Sequence, residues 1–318
     1  MILEAPFPYF GGKGRVAAEV WQRFGDVPNY VEPFLGSGAV LLNRPAGHKG
    51  HIETVNDKDG YVSNFWRAVK AAPEAVAEYA DWPVNENDLH ARHSWLVSRH
   101  DDLVARLEGD PEWCDAKIAG WWVWGMCAWI GSGFCSGQGP WQVEDGKLVH
   151  LGDAGQGVNR KRVHLGGGGV GVHKVSLSNE GIYGWFADLS ARLANVRVCS
   201  GDWTRVCGDS PTIKHGITGV FLDPPYDQNE RADLYNVEDS ISAAVREWAI
   251  GRGNDPLMRI ALCGYEGEHA MPADWTCYEW KAQGGYGSQG EGRGRDNAKR
   301  ERIWFSPHCL PPQQERLL

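Results

Sequence analysis

The sequence predicts an α/β fold: a doubly wound sheet whose chain is interrupted by a long, partly helical insertion. Three observations carry this. Strand, glycine-rich turn, helix, strand and acid succeed one another in the first seventy or so residues. That alternation stops near residue 72 and resumes near residue 196. The stretch between holds two helical patterns and then a glycine-rich region.

Taken in order, residues 13–24 place Val16, Ala17, Val20, Trp21 and Phe24 at helical spacing. Residues 29–32 form a short extended run, and Pro33-Phe34-Leu35-Gly36-Ser37-Gly38 is a turn rich in small residues. Residues 51–55 are the next strand, ending at Asn56-Asp57, and residues 61–69 the next helix. Residues 88–107 and 113–130 are helical; the second contains Trp121, Trp122, Trp124 and Trp129. Glycines crowd residues 131–171, and a loop region that long is usually functional or disordered. Residues 196–199 and 219–222 are strands, 240–250 a helix, and 258–262, 277–280 and 302–305 further strands. The expected division is a two-part unit, 1–71 with 196–306, an insertion over 72–195, and a loose tail over 307–318.

Composition sets bounds. In 318 residues, 42% are hydrophobic and 23% charged, which excludes wholesale disorder and fibrous structure. No apolar run approaches the ~20 residues that span a bilayer. The opening Met1-Ile2-Leu3-Glu4-Ala5-Pro6 has an early acid and no basic flank, unlike a secretory signal. The eight cysteines are scattered with no Cys-x-x-Cys pair, so a reduced, cytoplasmic protein without zinc is expected. A net charge of −9 does not advertise a nucleic-acid partner, but the distribution of charge decides more than its sum.

Four motifs carry chemistry. Asp223-Pro224-Pro225-Tyr226 directly follows an apolar strand. An exocyclic amine on a nucleobase is a poor nucleophile, because its lone pair is delocalised into the ring. A carboxylate accepting its N–H, with a backbone carbonyl from the rigid Pro224-Pro225 step, draws the nitrogen towards sp³. An adjacent tyrosine ring offers a flipped base a stacking surface. The plainer alternative is a proline-stiffened loop with Asp223 as a turn residue. Glu32-Pro33-Phe34-Leu35-Gly36-Ser37-Gly38 lets a ligand approach the backbone closely, yet it is neither Gly-x-Gly-x-x-Gly nor a P-loop. Asp57, about twenty residues on, stands where an acid holds ribose hydroxyls or caps the following helix. Tyr9-Phe10-Gly11-Gly12-Lys13 suits a carboxylate, held by helix N-terminal N–H groups and an ammonium.

These segments, in this order and spacing, resemble the Dam-like, alpha-type family of adenine-N6 DNA methyltransferases. The resemblance covers roughly residues 6–70 and 196–306. It implies a class I S-adenosylmethionine-dependent methyltransferase sheet, Rossmann-like, with an inserted DNA-recognition domain. It implies that Tyr9, Phe10, Gly12 and Lys13 make the first cofactor contacts, Lys13 near the methionine carboxylate. Phe34, Gly36 and Gly38 would form the cofactor loop, Asp57 would bind the ribose, and Asp202 would hold the adenine. Asp223 would both approach the cofactor and polarise the target amine, with Pro224 beside it and Tyr226 stacking on the base. No metal and no covalent intermediate is implied.

The middle departs from the family. Members that methylate GATC carry an Asn-Arg-x-Gly-Phe-Asn-like stretch; here Trp129-Ile130-Gly131-Ser132-Gly133-Phe134 lacks the Asn and Arg, so another target is expected. Residues 155–174 hold Arg160, Lys161, Arg162 and Lys174 and no acid, a pliable cationic loop suited to DNA phosphates or simply to solvent. A second basic run, with Arg293, Arg295, Lys299, Arg300 and Arg302, is diluted by Glu291, Asp296 and Glu301. The tryptophans are assigned to the core. The expected activity is methyl transfer from S-adenosylmethionine to adenine N6 in double-stranded DNA, in a bacterial or bacteriophage-encoded enzyme of the kind found in restriction-modification, with no obligate protein partner. The rivals are cytosine-N4 or RNA-base methylation, and a non-catalytic DNA-binding module that kept the fold.

Overall fold

The computed structural model describes residues 3–8, 13–45, 51–129, 134–135, 141–144, 147–150, 181–225, 241–280 and 300–312. A 3-10 turn at Lys13–Arg15 leads into α1 (Ala17–Phe24), then β1 (Asn29–Glu32), the short α2 (Ala39–Leu42), β2 (Ile52–Asp57) and α3 (Gly60–Ala71). The middle of the chain contributes α4 (Pro73–Ala80), α5 (Glu86–Val97), α6 (His100–Gly109), α7 (Ala116–Ala128), the hairpin β3 (Trp141–Glu144) and β4 (Lys147–His150), and α8 (Gly181–Leu193). The remainder holds β5 (Val196–Ser200), β6 (Thr218–Leu222), α9 (Ile241–Arg252), β7 (Met258–Tyr265), β8 (Thr276–Glu279) and β9 (Glu301–Phe305).

Seven strands form one sheet in the order β5-β2-β1-β6-β7-β9-β8. The first five run parallel, and β9 is antiparallel to both β7 and β8. β1 and β6 are buried at every position, as strands covered on both faces must be. From β1 the chain steps to β2 and β5 on one side; β6 and β7 lie on the other. The crevice where the winding reverses is therefore between the C-terminal ends of β1 and β6, the usual ligand position in such sheets.

Two apolar layers cover the sheet. On one face Val20, Trp21 and Phe24 of α1 and Phe65 and Trp66 of α3 join one cluster with Leu89, Leu96, Trp122 and Phe186 from the middle helices. On the other, Val220, Leu222 and Ile260 pack with Val245 and Ala249 of α9 and with Trp203. Trp66 and Trp124 are fully buried, in line with a core role for tryptophan.

The middle helices thus share their interior with the α/β half. Asn64 of α3 and Asp115 bond in both directions at 2.9 Å, and Tyr61 Oη donates to Leu96 O at 2.8 Å. Arg192 of α8 grips Glu53 of β2 with two hydrogen bonds of 2.7 and 2.8 Å, so α8 is the crossover that delivers the chain to β5. The helix expected over 88–107 is two helices. Ser98 N–H still bonds to Ser94 O, closing α5, and Asp101 and Asp102 stand in the first turn of α6, where the helix dipole favours acids. Within the segment expected to be a loose tail, Leu310 N–H donates to Arg23 O at 2.8 Å and ties residues 307–310 to α1.

Candidate active site

A cavity of about 390 Å³ opens at the switch point, within the usual range for small-ligand sites. Its walls are Glu32 and residues 33–37 after β1, residues 56–59 after β2, Gly201, Asp202 and Trp203 after β5, and Phe221, Asp223, Pro224 and Pro225 at β6. Lys13, Ala39, Val40 and Ile241 complete it. Of the described residues that the sequence reading selected, Lys13, Phe34, Gly36, Asp57, Asp202, Asp223 and Pro224 all line this one space.

The glycine turn is braced from below. Gly36 N–H donates to Asp57 Oδ2 at 2.8 Å, Leu35 N–H to Asn56 O at 2.9 Å, and Trp66 Nε1 to Gly36 O at 3.0 Å. Asn56 Nδ2 bonds to Pro33 O and Gly201 O, linking the turns after β1 and β5. Gly38 does not line the cavity. It supplies φ = 66° at the start of α2, and a Cβ there would lie 3.1 Å from the Trp66 ring, so glycine is required for the turn. Asp57 also accepts from Asp59 N–H at 2.9 Å. Burial pushes its pKa up to about 6 against the pull of these N–H donors. The cap of α3 is Asp59, whose Oδ1 accepts from Tyr61 and Val62 N–H, so Asp57 is left to the cavity and the glycine turn.

At the opposite wall the Lys13 ammonium lies 2.9 Å from Asp223 Oδ1 and 3.8 Å from Glu301 Oε2. Burial alone would lower the lysine pKa. The carboxylates of Asp223 and Glu301 outweigh it and push the pKa up, so Lys13 is charged. The resemblance places Lys13 at the cofactor carboxylate; here its partner is the acid of the Asp-Pro-Pro segment. Glu32 accepts from Tyr30 Oη at 2.9 Å, and burial, aided by the charges of Asp223 and Asp57, pushes it up to about 8.

Phe34 and Trp203 face each other with ring centroids 6.3 Å apart and planes 29° apart, an aromatic wall of the cavity. Asp202 is exposed and caps the 3-10 turn Trp203–Val206, accepting from Thr204 N–H and Oγ1, which holds its carboxyl below the ordinary range. Glu32, Asn56 and Trp203 line the cavity but were not selected from sequence. The first belongs to the glycine motif itself, and the third directly follows Asp202.

Tyr9, Phe10, Gly12, Tyr226, Arg160, Lys161 and Arg162 lie outside the described residues. In the second basic run, Arg302 is buried and its Nη2 lies 3.0 Å from Glu266 Oε2, while Arg300 bonds to Glu266 O. Those two cations are engaged within the protein. Among the described residues no cluster of His, Cys, Asp and Glu could hold a metal, and no helix is long and apolar enough to cross a membrane.

Residues 9–103 match the family described as D12 class N6 adenine-specific DNA methyltransferase. The match takes in β1, the glycine turn, β2 and α3 and stops well before β6 and Asp223. No curated protein matches the chain.

Proposed function

We propose, from the match of residues 9–103 to the D12 class N6 adenine-specific DNA methyltransferase family, that this chain methylates adenine N6 in DNA using S-adenosylmethionine held in the switch-point cavity. The single observation that carries the reading is the convergence on that cavity of the glycine turn, Asp57 and Asp223, from three strands of the sheet.

The donor set suits such a ligand. The volume is adequate, Asp57 suits a ribose, and Phe34 and Trp203 offer flat apolar surface for a purine. When bound, S-adenosylmethionine supplies a methyl group on a sulfonium, which leaves readily. The chain's own task is alignment and charge stabilisation. Gly36 and Asp57 hold one side of the cavity rigid. Asp223 accepts an N–H of the target amine and favours the positive charge that develops on its nitrogen. Pro224 and Pro225 hold that carboxylate at the cavity mouth, and Tyr226 stacks on the flipped base. The middle of the chain, residues 72–195, contributes DNA recognition, with Arg160, Lys161 and Arg162 on phosphates.

The test is to incubate the protein with S-adenosylmethionine carrying a labelled methyl group and unmethylated DNA, then to digest the DNA to nucleosides. Label in N6-methyl-2′-deoxyadenosine, absent with Asp223→Ala, supports the reading. Label in N4-methyl-2′-deoxycytidine, or label only in RNA when RNA replaces the DNA, overturns the substrate assignment. Unchanged turnover in Asp223→Ala overturns the catalytic one.

A further inference from the structure

Glu301 opens β9 and is almost fully buried, yet it does not line the cavity; it stands behind Lys13. Its Oε2 is 3.8 Å from the Lys13 ammonium, whose nearer partner is Asp223 Oδ1 at 2.9 Å. The Trp280 ring, 5.8 Å from Nζ, faces the same ammonium. We propose that Glu301 is a positioning residue for methyl transfer, sharing the Lys13 ammonium with Asp223 so that the Asp223 carboxylate stays a strong acceptor for the target amine.

The proposal rests on the reading of Asp223 given above. An ammonium paired with Asp223 alone would draw that carboxylate's charge towards Nζ and weaken its hold on a substrate N–H. A second carboxylate divides the ammonium's field. Among the described residues, the groups facing this point are Lys13, Glu32 from β1, Cys263 and Tyr265 from β7, and Glu301 from β9, with Glu268 and Arg300 beside Tyr265. Burial keeps Cys263 and Tyr265 neutral, and Glu32, held up to about 8, is largely protonated at neutral pH.

The experiment measures single-turnover methylation for wild type, Glu301→Gln, Glu301→Asp, Lys13→Met and the Lys13→Met, Glu301→Gln pair. Glu301→Gln should slow transfer about tenfold, well short of the loss from removing a group that touches the reacting atoms. Affinities for S-adenosylmethionine and DNA should change less than roughly twofold. Glu301→Asp should restore most of the rate. In the Lys13→Met background, adding Glu301→Gln should change the rate by less than about twofold. An equal loss in both backgrounds, or no rescue by Glu301→Asp, overturns the proposal. If Glu301→Gln does not fold, Glu301→Asp decides: a partial loss seen only when Lys13 is present supports sharing, and the same loss without Lys13 refutes it. Asp223→Ala is measured alongside. Turnover in that variant sinks the catalytic reading itself, whereas an inactive Asp223→Ala with an unaltered Glu301→Gln sinks only the role of Glu301.

Discussion

Asp57 Oδ2 accepts the backbone N–H of Gly36 at 2.8 Å, and through that bond the acid at the end of β2 sets the shape of the turn after β1. The same carboxylate takes the N–H of Asp59 at 2.9 Å and faces the cavity. One side chain therefore fixes the turn, holds the backbone of the Asp59 cap and presents an acceptor to a ligand.

Asp57→Ala should weaken S-adenosylmethionine at least tenfold, on the order of one charge-assisted hydrogen bond with its brace, while DNA affinity changes little. Calorimetry with each ligand checks this. Because Asp57 titrates at about 6, wild-type cofactor affinity should also fall as pH drops from 7 to 5 and the carboxylate loses its acceptor charge. Equal cofactor affinity in the variant would move the ligand elsewhere.

Glu32→Gln should make the protein more stable in alkali. The folded pKa of Glu32 is about 8 against an ordinary 4.5, so the folded state binds this proton more tightly. The resulting stabilisation is whole below about 4.5, declines as pH rises, and is gone above about 8. Glutamine keeps an acceptor for Tyr30 Oη and never ionises. Thermal melts should show the variant gaining on wild type as pH rises, by up to a few kcal/mol at roughly 1.4 kcal/mol per pKa step. Parallel curves at pH 5 and 9 would contradict the assignment.

Glu53→Gln should be strongly destabilising. Glu53 is buried and meets both Arg192 and Arg44, and its loss leaves two guanidiniums without their counter-charge. Breaking a buried pair in this way costs about 3–5 kcal/mol. Burial would raise the Glu53 pKa, but the two arginines outweigh it and hold it below 4.5. Its contribution is therefore present above 4.5 and lost as pH falls through the lower folded value. Denaturant titrations of wild type and variant should differ at pH 7 and converge in acid.

Replacing Arg160, Lys161 and Arg162 together by alanine should weaken binding to all DNA sequences, flatten the salt dependence and leave the preferred target unchanged. Each phosphate that is no longer neutralised lowers the salt slope by about one unit. Three adjacent cations in a glycine-rich sequence, with no acid from residue 155 to 174, suit phosphates better than base edges. Constant affinity would remove the tripeptide from DNA contact; a changed target at constant affinity would make it a base reader.

The sheet's strands, the glycine turn and the acids that end β2 and follow β6 were legible in the chain before any fold was known. These features are local. A buried strand must be apolar, a turn with positive φ needs glycine at Gly38, and a Pro-Pro step stiffens whatever precedes it. The sequence reading also recovered the bounds of α3, β5 and β9 to within about two residues, because apolar periodicity marks them. It could not show that Asp59 rather than Asp57 caps α3, since both acids stand within capping reach of the same helix. Folding was needed to reveal that Lys13 meets Asp223 and Glu301, that Arg192 of α8 closes on Glu53, and that the middle helices share the core of the α/β half. Each of those contacts joins residues far apart in the chain, and strand order brings them together: β1 lies beside β6, and β9 beside β7. Pattern along a chain reports which face of an element is apolar; which other element covers that face is settled only when the whole sheet is wound.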